Sequence, residues 1–551
     1  MRHQKIQLSI VLLFAGIAAA AQNLNPVVEV TNIYEQAATG IDKPEQVIAV
    51  PDSLLRFNLD MDYQMRTTPY RGAYEFNPYL VELRPSARSW GEESFYLRFG
   101  AGYGFHPELD LVWSPVKQDN FRLNLYANHQ GYFGYYRMIT YEDHAFKGSD
   151  ELYGGADADS RAGLNTLYAW KTGLLTADLH YQNLYSQDQW QETGHHIAQL
   201  QARVQSAPQT SFYYNLGVKG RYLARDGYQE KYVQADGGIG ANMRRSQFRV
   251  DFQAESTFAP DGTVGQAAFI PRYVFRVGDL YMNLGIKAAF IFRSDEYYYP
   301  GNGGYVFPDV YLDYRVIPER FILQASATGG NRIHTYGNLL QENHFLPAFS
   351  TGTFGTEVEH VKIAVGARGN LGARFHYNTQ AGYAYRTNAL LWGYNYMMGP
   401  FYVEMNPHIG TADYSLFFAS LEAGWKSESI DADVNLLYQR TNLKEYYLFA
   451  PPVFSAQAGF FYKWGGRIKA GVTLDAATDR HTYSEEETDG TVQVSETIPG
   501  YADLGLAGEF AFTRRFGAWL KVANLLNQQV QRTPFHVERG IYFTVGIQMR
   551  F

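Results

Sequence analysis

The sequence predicts an all-β protein, a transmembrane antiparallel β-barrel of about 22 strands. Three observations predict it: an export signal, a period-two alternation of apolar and polar residues along most of the chain, and connections that are short and long in turn. The composition agrees. Of 551 residues, 16% are aromatic, with 44 Tyr and 36 Phe, 52 are Gly, and only 19% are charged. A polytopic helical membrane protein needs runs of about 20 apolar residues, and none follows the leader. A formal net charge of -8 offers no basic surface to nucleic acid. The chain has no cysteine, which excludes disulfide frameworks, thiolate metal sites and a lipid-bearing cysteine at a mature N-terminus.

Arg2, His3 and Lys5 precede an apolar stretch from Leu8 to Ile17, and Ala18 to Ala21 are the small residues a signal peptidase accepts. Residues 1–21 are therefore expected to be a signal peptide. Residues 22–93 come next, before the first strand. Pro26, Pro44, Pro51, Pro69, Pro78 and Pro85 make this segment a poor independent domain, yet Val27, Val30, Ile33, Val47, Ile48, Val50, Leu54, Leu55 and Phe57 are too apolar for a free tail. It is expected to lie in the periplasm or against the lumen, in the place of a plug.

From 94 to 551 the chain reads as strands. Phe121, Leu123, Leu125 and Ala127 alternate with Arg122, Asn124, Tyr126 and Asn128. Ile541, Phe543, Val545, Ile547, Met549 and Phe551 alternate with Tyr542, Thr544, Gly546, Gln548 and Arg550. A soluble sandwich shows the same alternation, so loop lengths decide between the two. Val116–Asn120, Lys171–Leu174, Ser206–Thr210, Met243–Ser246, Val277–Asp279, Ile317–Arg320, Asn370–Ala373, Lys426–Ser429, Trp464–Arg467 and Thr513–Arg515 read as tight turns. Between them fall longer connections, including Tyr135–Ala162, Leu184–Gly194, Arg293–Gly304, Asn331–Glu359, Asn388–Ala412, Asp475–Gly500 and Leu526–Arg539. Turns on one rim and loops on the other suit an outer-membrane barrel of a Gram-negative bacterium, with an even strand number leaving both termini in the periplasm. Phe510, Phe512, Phe516 and Trp519 around the Thr513–Arg515 turn read as an interfacial aromatic cluster.

The last strands resemble the end of a TonB-dependent receptor barrel. The resemblance is carried by Tyr501-Ala502-Asp503-Leu504, by Trp519-Leu520-Lys521-Val522-Ala523-Asn524-Leu525-Leu526-Asn527, similar to the family's strand ending in Asn-Leu-Phe-Asn, and by the closing strand Gly540–Phe551. It implies a 22-stranded barrel, and an insertion signal for barrel-assembly machinery at Phe543, Val545, Ile547, Met549 and Phe551. Family barrels normally hold a globular plug in the lumen, and residues 22–93 are too few for one. Glu29-Val30, Asp42-Lys43-Pro44, Pro51-Asp52-Ser53 and Leu55-Arg56-Phe57 look like a plugless group of such barrels. Val27-Val28-Glu29-Val30-Thr31 resembles the box with which TonB pairs, and an ordinary extended strand reads the same way.

No catalytic motif is present: there is no nucleophile elbow, no His-Glu-x-x-His and no phosphate loop. Gly366-Ala367-Arg368-Gly369-Asn370-Leu371-Gly372 sits at a turn between strands instead of opening a helix. His195 and His196 point to opposite faces of a strand and cannot grip one metal. The acidic groups Asp157 with Asp159, Asp295 with Glu296, and Glu485 to Glu487 with Asp489 read as solvated loops. Tyr297, Tyr298, Tyr299 and Tyr305 form the best ligand-like or partner-binding loop, since exposed tyrosines stack on sugars, aromatics or proteins. The reading is a non-enzymatic barrel without cofactor or metal, surrounded by outer-membrane lipid and serving as scaffold or accessory subunit for an envelope or lipoprotein partner. The alternative is a channel or transporter for small solutes, TonB-coupled if another chain supplies the plug. A lumen of this size needs a filling, drawn from residues 22–93 and the Asn331–Glu359 and Asn388–Ala412 loops.

Overall fold

The computed structural model describes residues 94–551 apart from 208–209, 244–245, 261, 295–301, 347–354, 399–402 and 484–494, and describes side chains outside 395–408. The expected signal peptide and the 22–93 segment lie outside the described residues. Twenty-two strands of 8 to 26 residues form one closed antiparallel sheet, each pairing with its neighbours along the chain. The first strand, Phe95–Gly102, pairs with the last, Tyr542–Arg550, setting Phe99 opposite Ile547. Phe95 and Phe551 exchange both backbone hydrogen bonds at 2.9 Å. Closure leaves no strand edge in the wall, the condition for placing a sheet in hydrocarbon.

Side-chain alternation decides which face is which. Outward residues form an apolar belt of Leu123, Leu200, Val218, Val233, Leu284, Ile363, Val365, Leu421, Val472 and Leu520. Bands of aromatics border it near the turns, with Phe212, Phe248, Tyr314, Trp425, Trp464, Phe510, Phe512 and Phe516 all exposed. Inward positions carry Arg122, Arg221, Asp251, Arg272, Lys287, Asp309, Arg368 and Asp503, all buried among one another and their neighbours. A spanning strand needs about 9–11 residues, and the four strands flanking the closure, of 8 to 10 residues, are close to that minimum.

Every short connection expected from the sequence joins two strands on one rim. Three of the longer ones differ from expectation. Tyr135–Ala162 is a continuation of the wall, since strands Phe121–Glu142 and Ala145–Trp170 run to a two-residue turn at Asp143 and His144, both at positive φ (51° and 59°). Leu184–Gly194 shrinks to a turn between Gln187 and Glu192, and Asn388–Ala412 prolongs strands Phe375–Met398 and Val403–Lys426 past a bulge at Arg386/Ala389. The Gly366–Leu371 run lies inside strand Thr356–Leu371, and only Gly372, at φ 75°, makes the turn. Trp519 is not interfacial. It points into the barrel at 3% exposure, one position out of phase with its outward neighbours Ala518 and Leu520. Asp157 and Asp159 are not solvated loop acids either. Both face inward, Asp157 bound to His344 at 2.8 Å and Asp159 to Gln182 at 2.8 Å.

Candidate functional site

The closing strand puts Phe543, Val545, Ile547 and Phe551 outward and exposed and Met549 partly so, with Tyr542, Thr544 and Gln548 buried inward. Phe551 contacts the rings of Phe95 and Phe516 at 6.2 and 5.5 Å. Of the tyrosine loop, Tyr297, Tyr298 and Tyr299 lie outside the described residues. Tyr305 faces inward on strand Gly303–Ile317, stacked on Phe307 at 5.9 Å. His195 and His196 do face opposite ways: His195 is buried against Tyr336, and His196 bonds the outward Tyr181 hydroxyl at 2.6 Å.

A further constellation has no precedent in the sequence reading: a lid across the loop-side mouth. At its centre is helix α1 (Tyr336–Glu342), within what reads from sequence as a plain loop. Thr335 caps it by accepting a hydrogen bond from the Asn338 backbone N–H. The Arg221 guanidinium, on the barrel wall, donates to Thr335 Oγ1 at 2.8 Å, Asn338 Oδ1 at 2.7 Å and Glu230 Oε1 at 2.9 Å. Glu230 in turn accepts from the Gly337 N–H at 3.2 Å. Glycine at 337 leaves the network its room, because a Cβ there would lie 2.7 Å from both the guanidinium and the carboxylate and push one of them aside. Tyr336 shares its hydroxyl with His195 Nε2 at 2.9 Å and Arg225 Nη1 at 3.1 Å. The helix is thus bolted to three successive wall strands.

From these bolts Leu339, Leu340 and Leu346 project into an apolar core with Phe146, Leu184, Ile197, Leu223, Leu390, Trp392, Ile409, Phe449, Ile498 and Phe535. Leu184, Ile197 and Leu223 stand on the fifth to seventh strands, and Leu390, Trp392 and Ile409 on the fifteenth and sixteenth. In a ring of twenty-two these lie on opposite walls. One continuous core joining them means that the chain crosses the mouth.

A second set of bolts holds the connection between the last two strands. Arg532 reaches Asp475 at 2.7 Å and also meets Asp503 and Glu538, while Arg480 donates to the carbonyls of Gln531 and Arg532 at 3.1 and 2.9 Å. Gln531 donates to the Phe146 carbonyl at 2.8 Å, and the Gln529 amide pairs with both backbone groups of Gly148. Where this connection meets the one after α1, Phe345 stacks on His536 with ring centres 3.6 Å apart. Burial pushes His536 down to about 3, helped by Arg539 and His344 and opposed by Asp157. Burial also acts to lower His344, but the Asp157 carboxylate overrides it and holds that ring above its ordinary value. The two histidines are shifted in opposite directions, each because of what surrounds it. Among the described residues no three His, Asp or Glu side chains converge as a metal site. The arrangement is suited to closing a passage.

No family model matches the chain, and no curated protein is similar to it in sequence. Solved structures are similar in fold. A copper transporter, OprC, has 12% identity and a TM-score of 0.59, with 84% of this chain and 81% of that chain covered. The FrpB iron transporter from Neisseria meningitidis (F3-3 variant) has 10% identity and a TM-score of 0.60, covering 84% and 82%. The R480A mutant of the ferric enterobactin receptor PfeA from Pseudomonas aeruginosa, in complex with enterobactin, has 8% identity and a TM-score of 0.58, covering 84% and 82%. The chain shares the 22-strand barrel fold of these proteins. At such identities the likeness shows the fold alone, a closed antiparallel β-barrel of 22 strands.

Proposed function

We propose that the protein is a gated outer-membrane transporter for small solutes, with the lid described above as its outer gate and both termini in the periplasm. The lid carries this reading: a wide barrel whose mouth is crossed by an apolar core, held by a few ion pairs, is arranged for a passage that opens on demand. The fold shared with a copper transporter, an iron transporter and an enterobactin receptor supports it over the scaffold reading. The chain enters the wall at Ser94, beside Phe551 on the turn rim, and in this reading residues 22–93 serve as a small stopper or as the contact for an energy-coupling partner.

The lid is testable directly. Arg532→Ala leaves Asp475, Asp503 and Glu538 without their shared cation, and removing one partner from a buried charge cluster costs about 3–5 kcal/mol. In planar bilayers the intact protein is expected to conduct little, and the variant to conduct severalfold more, in step with greater sensitivity of cells to large antibiotics. Equal conductance in the two proteins, both correctly inserted, would sink the gate. A partner that copurifies stoichiometrically from native membranes with a lumen that stays shut would favour the scaffold.

A further inference from the structure

The seam where the ring closes has a construction of its own. It pairs the first and last strands over seven residues on each side, from Tyr96 opposite Arg550 to Gly102 opposite Thr544, and on its inner face Gly100 stands opposite Gly546. Neither glycine has a positive φ, so backbone conformation does not call for them. Space does. A Cβ on Gly100 would come 2.3 Å from Trp519 Cζ2 and 2.8 Å from the Val545 carbonyl oxygen, and one on Gly546 would come 2.2 Å from the Phe99 carbonyl oxygen and 2.5 Å from Trp519 Cε2, so the indole fills space that the paired backbones already leave tight.

Trp519 stands opposite Gly546 on the neighbouring strand Phe516–Ala523, so its indole lies across Gly546 to reach Gly100 on the far side of the closure. The first strand also supplies a cover, since the Arg98 guanidinium stacks 3.8 Å from the centre of the indole. Among the described residues the indole N–H has no acceptor. We infer that Trp519 is the clasp that selects the register in which the barrel closes, reading the first strand through Gly100 and Arg98. A one-residue slip would turn every side chain to the wrong face, so the competing registers are slips of two. One brings Arg98 opposite Gly546, into the space of the indole. The other brings Gly102 there and carries Arg98 off the ring by about 7 Å, two residues of strand rise. Only the native register provides both the bare floor and the cationic cover.

A chain without cysteine allows a direct test. Tyr96 and Arg550 form a non-hydrogen-bonded pair, the geometry that brings Cβ atoms close enough for a disulfide. The double variant Tyr96→Cys with Arg550→Cys reports the native register, and Tyr96→Cys with Gln548→Cys reports the slip that sets Arg98 opposite Gly546. With Trp519 present, the first pair should oxidise nearly completely and the second hardly at all. Trp519→Ala should lower the native yield severalfold and raise the slipped one, and Trp519→Phe should restore most of it. Leu520→Ala, on the outward face, should change neither. Should Trp519→Ala fail to insert, Gly100→Ala carries the test in a milder form against Gly508→Ala, where a Cβ meets nothing closer than 4.0 Å. Native yields unchanged in inserted Trp519→Ala, or equal in the two glycine variants, would overturn the clasp.

Discussion

His536 and His344 touch the same ring stack yet depend on pH in opposite senses. His536 is neutral in the fold, with its value lowered from the ordinary 6.5 to about 3. Its contribution to lid stability is therefore complete above about pH 6.5 and is lost as the pH falls toward 3. His344 is raised, so its contribution is complete below the ordinary value and is lost as the pH rises through the elevated one. Acid should loosen the lid through His536. Conductance is expected to rise severalfold between about pH 7 and about pH 4.5, and His536→Phe should flatten that rise. A variant as acid-sensitive as the parent would place the response elsewhere. None of this was legible in the sequence. His536 sits in a connection whose local pattern resembles any polar loop, and its surroundings come from Tyr136, Asp157 and Phe345, hundreds of positions away. What the sequence did carry at this scale was alternation, which placed Phe543, Val545 and Ile547 on the outer face.

Tight turns were legible because their chemistry is local: Gly278, Gly372, Gly465 and Gly466 take positive φ just where the chain reverses. Strand length was not. Beyond the lipid belt both faces of a strand meet water or lid, so the apolar alternation that identifies a strand lapses, and Tyr135–Ala162 reads as loop while pairing continues to Glu142 and Ala145. Trp519 failed for a related reason, since an aromatic near a turn satisfies an interfacial belt and an inward clasp equally well from sequence. Sidedness follows from the elements. A cysteine at His144 should react with an impermeant maleimide on intact cells, and one at Arg514 should not; labelling at Arg514 from outside would invert the orientation. The final strand gives another expectation. Deleting Phe551, or replacing it with Asp, should leave export intact but greatly reduce heat-modifiable, membrane-embedded protein, because the ring joins Phe95 and Phe516 at the closure and faces lipid. Normal insertion would remove Phe551 from that role.

For the molecule as a whole, alternation and turn spacing were enough to fix the architecture, whereas the lid was beyond reach because it is made by contacts between opposite walls that no local pattern records. The sequence pointed to the connection around α1 as material near the lumen, and α1 lies across the loop-side mouth. Removing residues 22 to about 67 is expected to raise conductance further in a lid-weakened background such as Arg532→Ala, or to release a copurifying protein. No change in either would confine gating to the lid. Strand order has a consequence in time. Each strand pairs with the next along the chain, and one pairing alone, Phe95–Gly102 with Tyr542–Arg550, joins the two ends. Within the wall, leaving the lid aside, paired residues are therefore close in sequence everywhere except at a single step. Chain-closure entropy is lost hairpin by hairpin, and the ends meet only after the intervening sheet has already curved them together. Maturation should therefore accumulate one open, nearly complete sheet that converts to the closed ring in a single final phase.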